Sequence, residues 1–358
     1  MSKCVLVMAG GTGGHIFPGL ALAQGLRERD WRVYWLGGVG TPTQPSMESR
    51  LVPAQGFPFE AVDFSGVRGK GWQTLVKLPW HLLRACWQSL AVLRRVKPDV
   101  VLGLGGYITL PAGLVCVLLG KPLLLHEQNS VAGLANKLLA GLATRVFTAF
   151  PQVLKKGRWV GNPLRQIFID VAEPVSRFAG RSGPLQVLVL GGSLGARALN
   201  EIVPQALKII PVTERPQVVH QSGAAQIDAL RANYAAAGVS AELTPFIDDT
   251  AQALAQADLV ICRAGASTVT EIAAVGAAAL LVPFPSAVDD HQTHNARFLV
   301  DRGAGWLQAQ AQLSPEWLAD FLQKANRPEL LERALAAKKI QKLDAVAQIV
   351  ATCEELVA

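Results

Sequence analysis

Residues 10–15 read GGTGGH, four glycines and a threonine that close on an imidazole. Glycine lets the backbone come close to a bulky anion, and the first N–H groups of a following helix carry partial positive charge, so such a turn suits a phosphate. Imidazole is the side chain that titrates nearest neutral pH, which makes His15 a candidate general base. The plainer reading is that His15 caps a helix starting near Pro18 or itself binds phosphate. A second candidate lies in CRAGASTVTE (262–271), where small residues follow a strand and Glu271 stands one turn into a helix. A glutamate there can hold two ribose hydroxyls while the helix start faces a phosphate. Equally, Ser267 or Thr268 can cap that helix and Glu271 complete a capping box; the two readings are compatible. A third stretch, DDHQTHNA (289–296), sets His291 and His294 at a spacing that puts two imidazoles on one helical face. No third metal ligand accompanies them, Asp290 is equally a helix cap, and no metal is expected.

Two more glycine loops, GLGGYITLP (103–111) and GGSLGAR (191–197), make four such devices in one chain. A turn between strand and helix favours glycine anyway, and one loop would mean little. Four argue for a phosphorylated ligand. Which ligand is narrowed by what the loops lack. A Walker A loop needs G-x-x-x-x-G-K-[ST], and no such run occurs. A dinucleotide site needs G-x-G-x-x-G and an acid about 20 residues on. After Gly11 and Gly13 the third position is Ile16, and the second strands end in WLGG and VVHQSG without an acid. Nicotinamide and flavin chemistry are disfavoured.

The loops sit at the ends of short apolar runs: KCVLVMA (3–9), RVYWLG (32–37), DVVLGLG (99–105), PLLLHEQ (122–128), RVFTAF (145–150), QVLVLG (186–191), QVVHQSG (217–223), DLVICRA (258–264) and AALLVPF (278–284). These runs are continuous rather than alternating, as parallel strands covered on both faces should be. Helical stretches separate them, among them 18–30, 196–210 and 268–275. The alternation predicts an α/β class of doubly wound parallel sheets. The repeated glycine loop divides the chain into residues 1–162 and 163–340. The apolar spacing of 341–358 predicts a last helix that caps one of the two, with the N-terminal domain as the place it packs back on.

Composition sets the outer bounds. A 358-residue chain with 50% hydrophobic and 17% charged residues is globular and larger than one ordinary core. The net charge of +7 points to an anionic partner. Five scattered cysteines without a CxxC pair fit a reducing cytoplasm. No signal peptide is visible and no apolar run is long enough to span a bilayer. One segment is unusual: between Asp63 and Asp99 there is no acidic residue, while Arg68, Lys70, Lys77, Arg84, Arg94, Arg95 and Lys97 are basic. It also holds Trp72, Trp80 and Trp87 with Leu75, Leu78, Leu82 and Leu83. If Pro79 opens a helix, Trp80 and Trp87 share one side. An ordinary helix with a core stripe explains Leu82, Cys86, Leu90 and Leu93, but not the missing acids or the tryptophans.

The runs GGTGGHIFPGLALA (10–23), HEQNSVAGLANK (126–137), VGNPLR (160–165), GGSLGAR (191–197) and RAGASTVTEIAAVG (263–276), in this order and across nearly the whole chain, resemble the MurG family of cell-wall glycosyltransferases. The resemblance implies the GT-B fold, two Rossmann-like doubly wound domains facing across a cleft, the N-terminal one serving acceptor and membrane and the C-terminal one binding UDP-N-acetylglucosamine. It implies inverting transfer of N-acetylglucosamine to the 4-hydroxyl of the N-acetylmuramoyl group of lipid I, giving lipid II, with no obligate cofactor. The implied donor contacts are Thr12, Gly13, Gly14, Asn129, Arg165, Ser193, Ile247, Gln292 and the run Ala266, Ser267, Thr268, Val269, Thr270 and Glu271. His15 would be the base, and Gly13, Gly14, Gly105 and Gly106 the floor for the acceptor diphosphate. Ser267 and Thr270 depart from the family's usual Leu and Ser. The lipid acceptor implies a peripheral enzyme on the cytoplasmic face of the inner membrane, docked on its anionic surface through Lys70, Trp72, Leu75, Lys77, Trp80, Arg84 and Trp87, with cell-wall synthesis or division proteins as partners. Two other readings are weighed against it. One is another GT-B enzyme on UDP-sugars, a glycolipid synthase or a UDP-GlcNAc epimerase. The other is a basic nucleotide- or nucleic-acid-binding protein without chemistry. No RNP, KH or helix-turn-helix signature supports the latter, and no nucleic-acid partner is expected.

Overall fold

The computed structural model describes residues 2–41, 45–64, 72–192 and 195–358, with the backbone alone for 72–76. It divides into two compact units, Met1–Arg165 with Lys342–Ala358, and Gln166–Gln341. The division falls after Arg165 and not after residue 162, and the C-terminal segment belongs to the first unit.

Among the described residues the first unit carries strands β1 (Cys4–Met8), β2 (Arg32–Gly38), β3 (Phe59–Val62), β4 (Val100–Gly103), β5 (Leu123–Glu127), β6 (Arg145–Thr148) and β7 (Gly157–Trp159). They pair in parallel in the order β3-β2-β1-β4-β5-β6-β7. Its helices are α1 (Gly13–Arg27), α2 (Met47–Ala54), α3 (Trp72–Val96), α4 (Thr109–Leu118) and α5 (Leu134–Leu139). The central strand shows why the apolar runs are continuous. Val5 and Val7 pack with Ile16, Leu22 and Leu26 of α1 on one face, while Leu6 and Met8 pack with Ala85, Val92, Ala112 and Val115 of α3 and α4 on the other. A strand covered on both sides needs apolar residues at both phases of its two-residue period.

The second unit carries α6 (Gln166–Ile169), α7 (Pro174–Phe178), β8 (Gln186–Leu190), α8 (Arg197–Ile209), β9 (Gln217–Gln221), α9 (Ile227–Ala237), β10 (Glu242–Thr244), α10 (Thr250–Gln256), β11 (Leu259–Cys262), α11 (Ala266–Val275), β12 (Ala279–Leu281), α12 (His291–Val300), β13 (Gly305–Leu307), α13 (Pro315–Lys324) and α14 (Arg327–Lys339). Its sheet is also parallel, in the order β10-β9-β8-β11-β12-β13. The chain then returns to the first unit as α15 (Ala345–Glu355), which lies so close to α1 that a Cβ on Gly25 would stand 2.7 Å from Val346.

Strand order reverses at β1/β4 in the first sheet and at β8/β11 in the second. At such a switch point the loops leaving adjacent strands part to opposite faces and open a crevice for ligand. The four glycine loops singled out in the sequence follow these four strands.

Three expectations about helices are corrected. Helix α1 starts at Gly13, so Pro18 and His15 both lie inside it. Helix α3 starts at Trp72 and runs through Pro79 rather than opening there. Helix α11 starts at Ala266 with Gly265 as its N-cap, which puts Ser267 and Thr268 inside the helix, and the capping box does not form.

Candidate functional site

In the first unit the loop after β1 is fixed by a carboxylate the sequence did not single out. Glu48, wholly buried on α2, accepts the Gly11 and Gly38 backbone N–H groups and the Tyr107 hydroxyl, each at 3.3 Å. Burial and that carboxylate push the Tyr107 phenol up to about 12, so it stays a donor. The loop after β4 lies directly on the loop after β1. Gly106 has φ +82, and a Cβ on it would come within 2.4 Å of the Gly10 carbonyl oxygen. Gly105, at φ +90, approaches the imidazole: a Cβ there would be 3.0 Å from His15 Cε1. Thr12, in extended conformation, is the N-cap of α1 and its side chain makes no capping bond. The backbone N–H groups of Gly13 and Gly14 open the helix, with no acidic residue in the first turn. Thr12, Gly13, Gly14, His15, Gly105 and Gly106 are thus brought together at one switch point, with helix-end N–H donors suited to an anion.

The HEQN segment reaches the same place from β5. His15 Nδ1 lies 2.8 Å from Gln128 Oε1, and Gln128 Nε2 lies 3.1 Å from both Nδ1 and the carbonyl oxygen of His126. His126 Nε2 donates to the Gly161 carbonyl oxygen at 2.9 Å, which ties in the segment that ends at Arg165. Burial pulls His126 down to about 4, so it is neutral. Buried Glu127 accepts the Asn129 and Gly133 backbone N–H groups and the Asn136 amide, at 2.9, 3.0 and 2.9 Å, and so shapes the loop that presents Asn129. Arg165 lies over the ring of Phe17 on α1, 5.8 Å from its centroid.

In the second unit Ser193 lies outside the described residues. Gly192 is held by Gln221, whose amide accepts from the Gly192 N–H at 3.1 Å and donates to the Gly192 and Pro245 carbonyls. Gly195, at φ +77, leaves no room for a side chain: a Cβ would stand 2.2 Å from the Ser222 carbonyl oxygen. Below, buried His220 bridges the Asn200 side chain and the Tyr234 hydroxyl, both at 3.0 Å, and burial lowers it to about 3. Across the switch point Ala266, Ser267 and Thr268 form the first turn of α11, with Val269, Thr270 and Glu271 following. The Thr270 hydroxyl turns back onto the Ala266 and Ser267 carbonyls. Ser267 Oγ is buried without a hydrogen-bond partner among the described residues. Gln292 lies in the first turn of α12 and accepts the Phe284 N–H at 2.9 Å; Asn295 ties that helix to the Ala264 carbonyl at 3.1 Å. Ile247 is half-buried, and its carbonyl accepts the Thr250 hydroxyl at 3.3 Å. Nothing in the sequence singles out Gln221, Glu48 or Gln128, because each reaches a partner distant in the chain: Gly192, Gly11 and His15.

His291 Nδ1 pairs with the Val288 carbonyl, and among the described residues no group of three or more His, Cys, Asp or Glu side chains is placed to hold a metal.

Of the surface residues expected at a membrane, Lys70 lies outside the described residues, and for Trp72 and Leu75 only their place on α3 is described. Trp80 and Trp87 are 72% and 70% exposed and share a face with exposed Leu83. The opposite face, Ala85, Ser89, Val92, Leu93 and Val96, is buried. Lys77 is exposed, while Arg84 pairs with Asp63 at 3.0 Å and Arg95 pairs with Glu60. In the same unit Leu118 on α4 and Leu134 and Leu138 on α5 are also exposed. No described helix is long and apolar enough to cross a membrane.

The chain matches the glycosyltransferase family 28 N-terminal domain over residues 5–148 and the family 28 C-terminal domain over residues 186–350. It is 77% identical to the UDP-N-acetylglucosamine–N-acetylmuramyl-(pentapeptide) pyrophosphoryl-undecaprenol N-acetylglucosamine transferase of Albidiferax ferrireducens, over 98% of this chain and 91% of that protein. To the protein of the same name from a Polaromonas species it is 70% identical, over 99% and 92%. Among solved structures it is similar to MurG of Acinetobacter baumannii, with 40% identity, a TM-score of 0.84 and 99% of each chain covered. The two Rossmann-like sheets are those of a GT-B enzyme, and the chain belongs to the MurG family of glycosyltransferases.

Proposed function

We infer that this chain transfers N-acetylglucosamine from UDP-N-acetylglucosamine to the N-acetylmuramyl group of pyrophosphoryl-undecaprenol pentapeptide, the step from lipid I to lipid II. Identity of 77% across 98% of the chain to a protein named for this transfer carries the assignment. The geometry of the first-unit switch point supports a mechanism for it. There His15 stands in the first turn of a helix with no acidic residue in that turn, against the Gly105–Gly106 loop.

The reaction is a single displacement with inversion. The 4-hydroxyl oxygen of the acceptor attacks the anomeric carbon as the bond to the UDP oxygen breaks, and that electron pair leaves with UDP. His15 takes the hydroxyl proton. The acceptor diphosphate rests on the backbone of Gly13, Gly14, Gly105 and Gly106. The second unit holds the donor: the first turn of α11 faces its diphosphate, Glu271 its ribose, Gln292 its sugar and the Ile247 backbone its uracil, with Ser193 on the diphosphate. In the first unit, Thr12, Asn129 and Arg165 offer polar and cationic groups of the kind that bind a sugar nucleotide. No step needs a metal, since helix ends and side chains balance the leaving charge.

The enzyme works as a peripheral protein on the cytoplasmic face of the inner membrane, among the cell-wall synthesis and division proteins. Exposed Trp80, Leu83 and Trp87 with Lys77 support docking on an anionic surface. Incubation with UDP-N-acetylglucosamine, with and without a short-chain lipid I analogue, tests the assignment. Release of UDP that depends on the analogue supports transfer, and conversion of the sugar nucleotide alone would mark an epimerase instead.

A further inference from the structure

The hydrogen bonds that run from Gly161 to His15 have only one consistent direction, and that direction selects a tautomer. The Gly161 carbonyl can only accept, so His126 Nε2, 2.9 Å away, carries a proton. His126 is buried, and burial keeps it neutral, so its Nδ1 is an acceptor. The Gln128 amide nitrogen faces that Nδ1 and also the His126 carbonyl, both at 3.1 Å. Turning the amide over would set oxygen against a carbonyl oxygen and against a lone pair. Its orientation is therefore fixed twice, and the Gln128 oxygen must face His15 Nδ1, where it accepts at 2.8 Å.

We propose that Gln128, anchored by His126, is a positioning residue that holds His15 as the Nδ1–H tautomer and so makes Nε2 the nitrogen that accepts the acceptor proton. The proposal rests on His15 being the base. The arrangement resolves a problem of chemistry. A neutral imidazole has one basic nitrogen, and a base whose lone pair points the wrong way is idle until the ring exchanges its proton. With Nδ1–H engaged, the acceptor O–H proton passes to Nε2 while the oxygen bonds to the anomeric carbon and the electron pair of the breaking bond leaves with UDP. The resulting imidazolium keeps its Nδ1–H bond to Gln128 throughout. An amide does this work where a carboxylate would leave a second charge: Gln128 is wholly buried, and an unpaired ion there would be costly. Gly105 completes the seat, since its bare Cα packs against the ring edge.

Two readouts test this, and one of them involves no substitution of Gln128. The chain has six histidines, and a His15→Ala sample assigns the His15 signals in a nitrogen-15 histidine spectrum. At a pH where the ring is neutral, wild-type His15 should show a protonated Nδ1 and an unprotonated Nε2; a protonated Nε2 overturns the proposal. In activity, Gln128→Met should lower kcat by roughly 10- to 100-fold, short of the loss seen when a triad is held in the wrong tautomer. KM for both substrates should stay within about twofold of wild type. Placed on His15→Ala, the same substitution should cost less than about twofold more, because its effect passes through that ring. Losses that multiply in the double variant would mean Gln128 acts on the fold, and would overturn the proposal. The base reading has its own test in the single His15→Ala variant, so the two can fail separately.

Discussion

His15 was legible because its neighbours in the chain are four glycines and a threonine, so the chemistry and the clearance for it are written side by side. The groups that aim it were not. Gln128 is 113 residues away, and Glu48 lies 37 residues from the loop it pins. Nothing local marks a glutamine or a glutamate for such a role until the sheet brings β1, β4 and β5 side by side. The sequence allows Glu271 both a ribose contact and half of a capping box; with α11 starting at Ala266 the second role is gone. His15→Ala should lower kcat by roughly 10²–10⁴, the range for loss of a general base. UDP binding by calorimetry should be preserved, and near-normal turnover would remove His15 from the chemistry. Glu271→Gln should weaken UDP binding by about 1–3 kcal/mol, as expected for a hydrogen bond to a charged group. Unchanged affinity would place the ribose elsewhere.

At the scale of elements, every strand read from the sequence is present, and the four that were missed share one trait. β3, β7, β10 and β13 are the outer strands of the two sheets, three or four residues long and mostly half-buried. An edge strand has one neighbour and one well-covered face, so it needs no apolar run, and the run was the signal. Proline misled in a similar way. Proline favours the start of a helix, yet Pro18 and Pro79 both sit inside longer helices whose buried faces outweigh the one lost backbone bond. On α3 the core stripe runs from Ala85 to Val96, and Trp80, Leu83 and Trp87 are exposed on the opposite face. Trp80→Ser with Trp87→Ser should reduce pelleting with anionic vesicles and leave UDP binding intact. Lys77→Glu should weaken it further by roughly 1 kcal/mol or more, the contribution of one basic residue near such a surface, and added salt should do the same. Binding indifferent to both tryptophans would assign the exposed face another role.

At the scale of the whole molecule, the two units repeat one plan: glycine loops leave the two strands at each point where strand order reverses. Each unit also keeps a neutral histidine inside, His126 held down to about 4 and His220 to about 3, against an ordinary 6.5. Below 6.5 the unfolded chain takes up protons that the folded chain refuses, so stability rises with pH through this window and is lost as pH falls. Urea midpoints measured from about pH 7 to about pH 5 should fall, with up to ~1.4 kcal/mol per pH unit from each histidine. A flat profile would mean that these rings are protonated in the fold. Transfer by single displacement to a lipid-linked muramyl acceptor leaves its mark in the product. UDP-N-acetylglucosamine, an α-glycoside, is mixed with a short-chain lipid I analogue, and the purified product is analysed by mass and by proton NMR of its new anomeric centre. Inverting transfer gives one added N-acetylglucosamine in β linkage to the 4-oxygen of the muramyl residue, with one UDP released for each. An α linkage, or UDP released without a disaccharide, would contradict it.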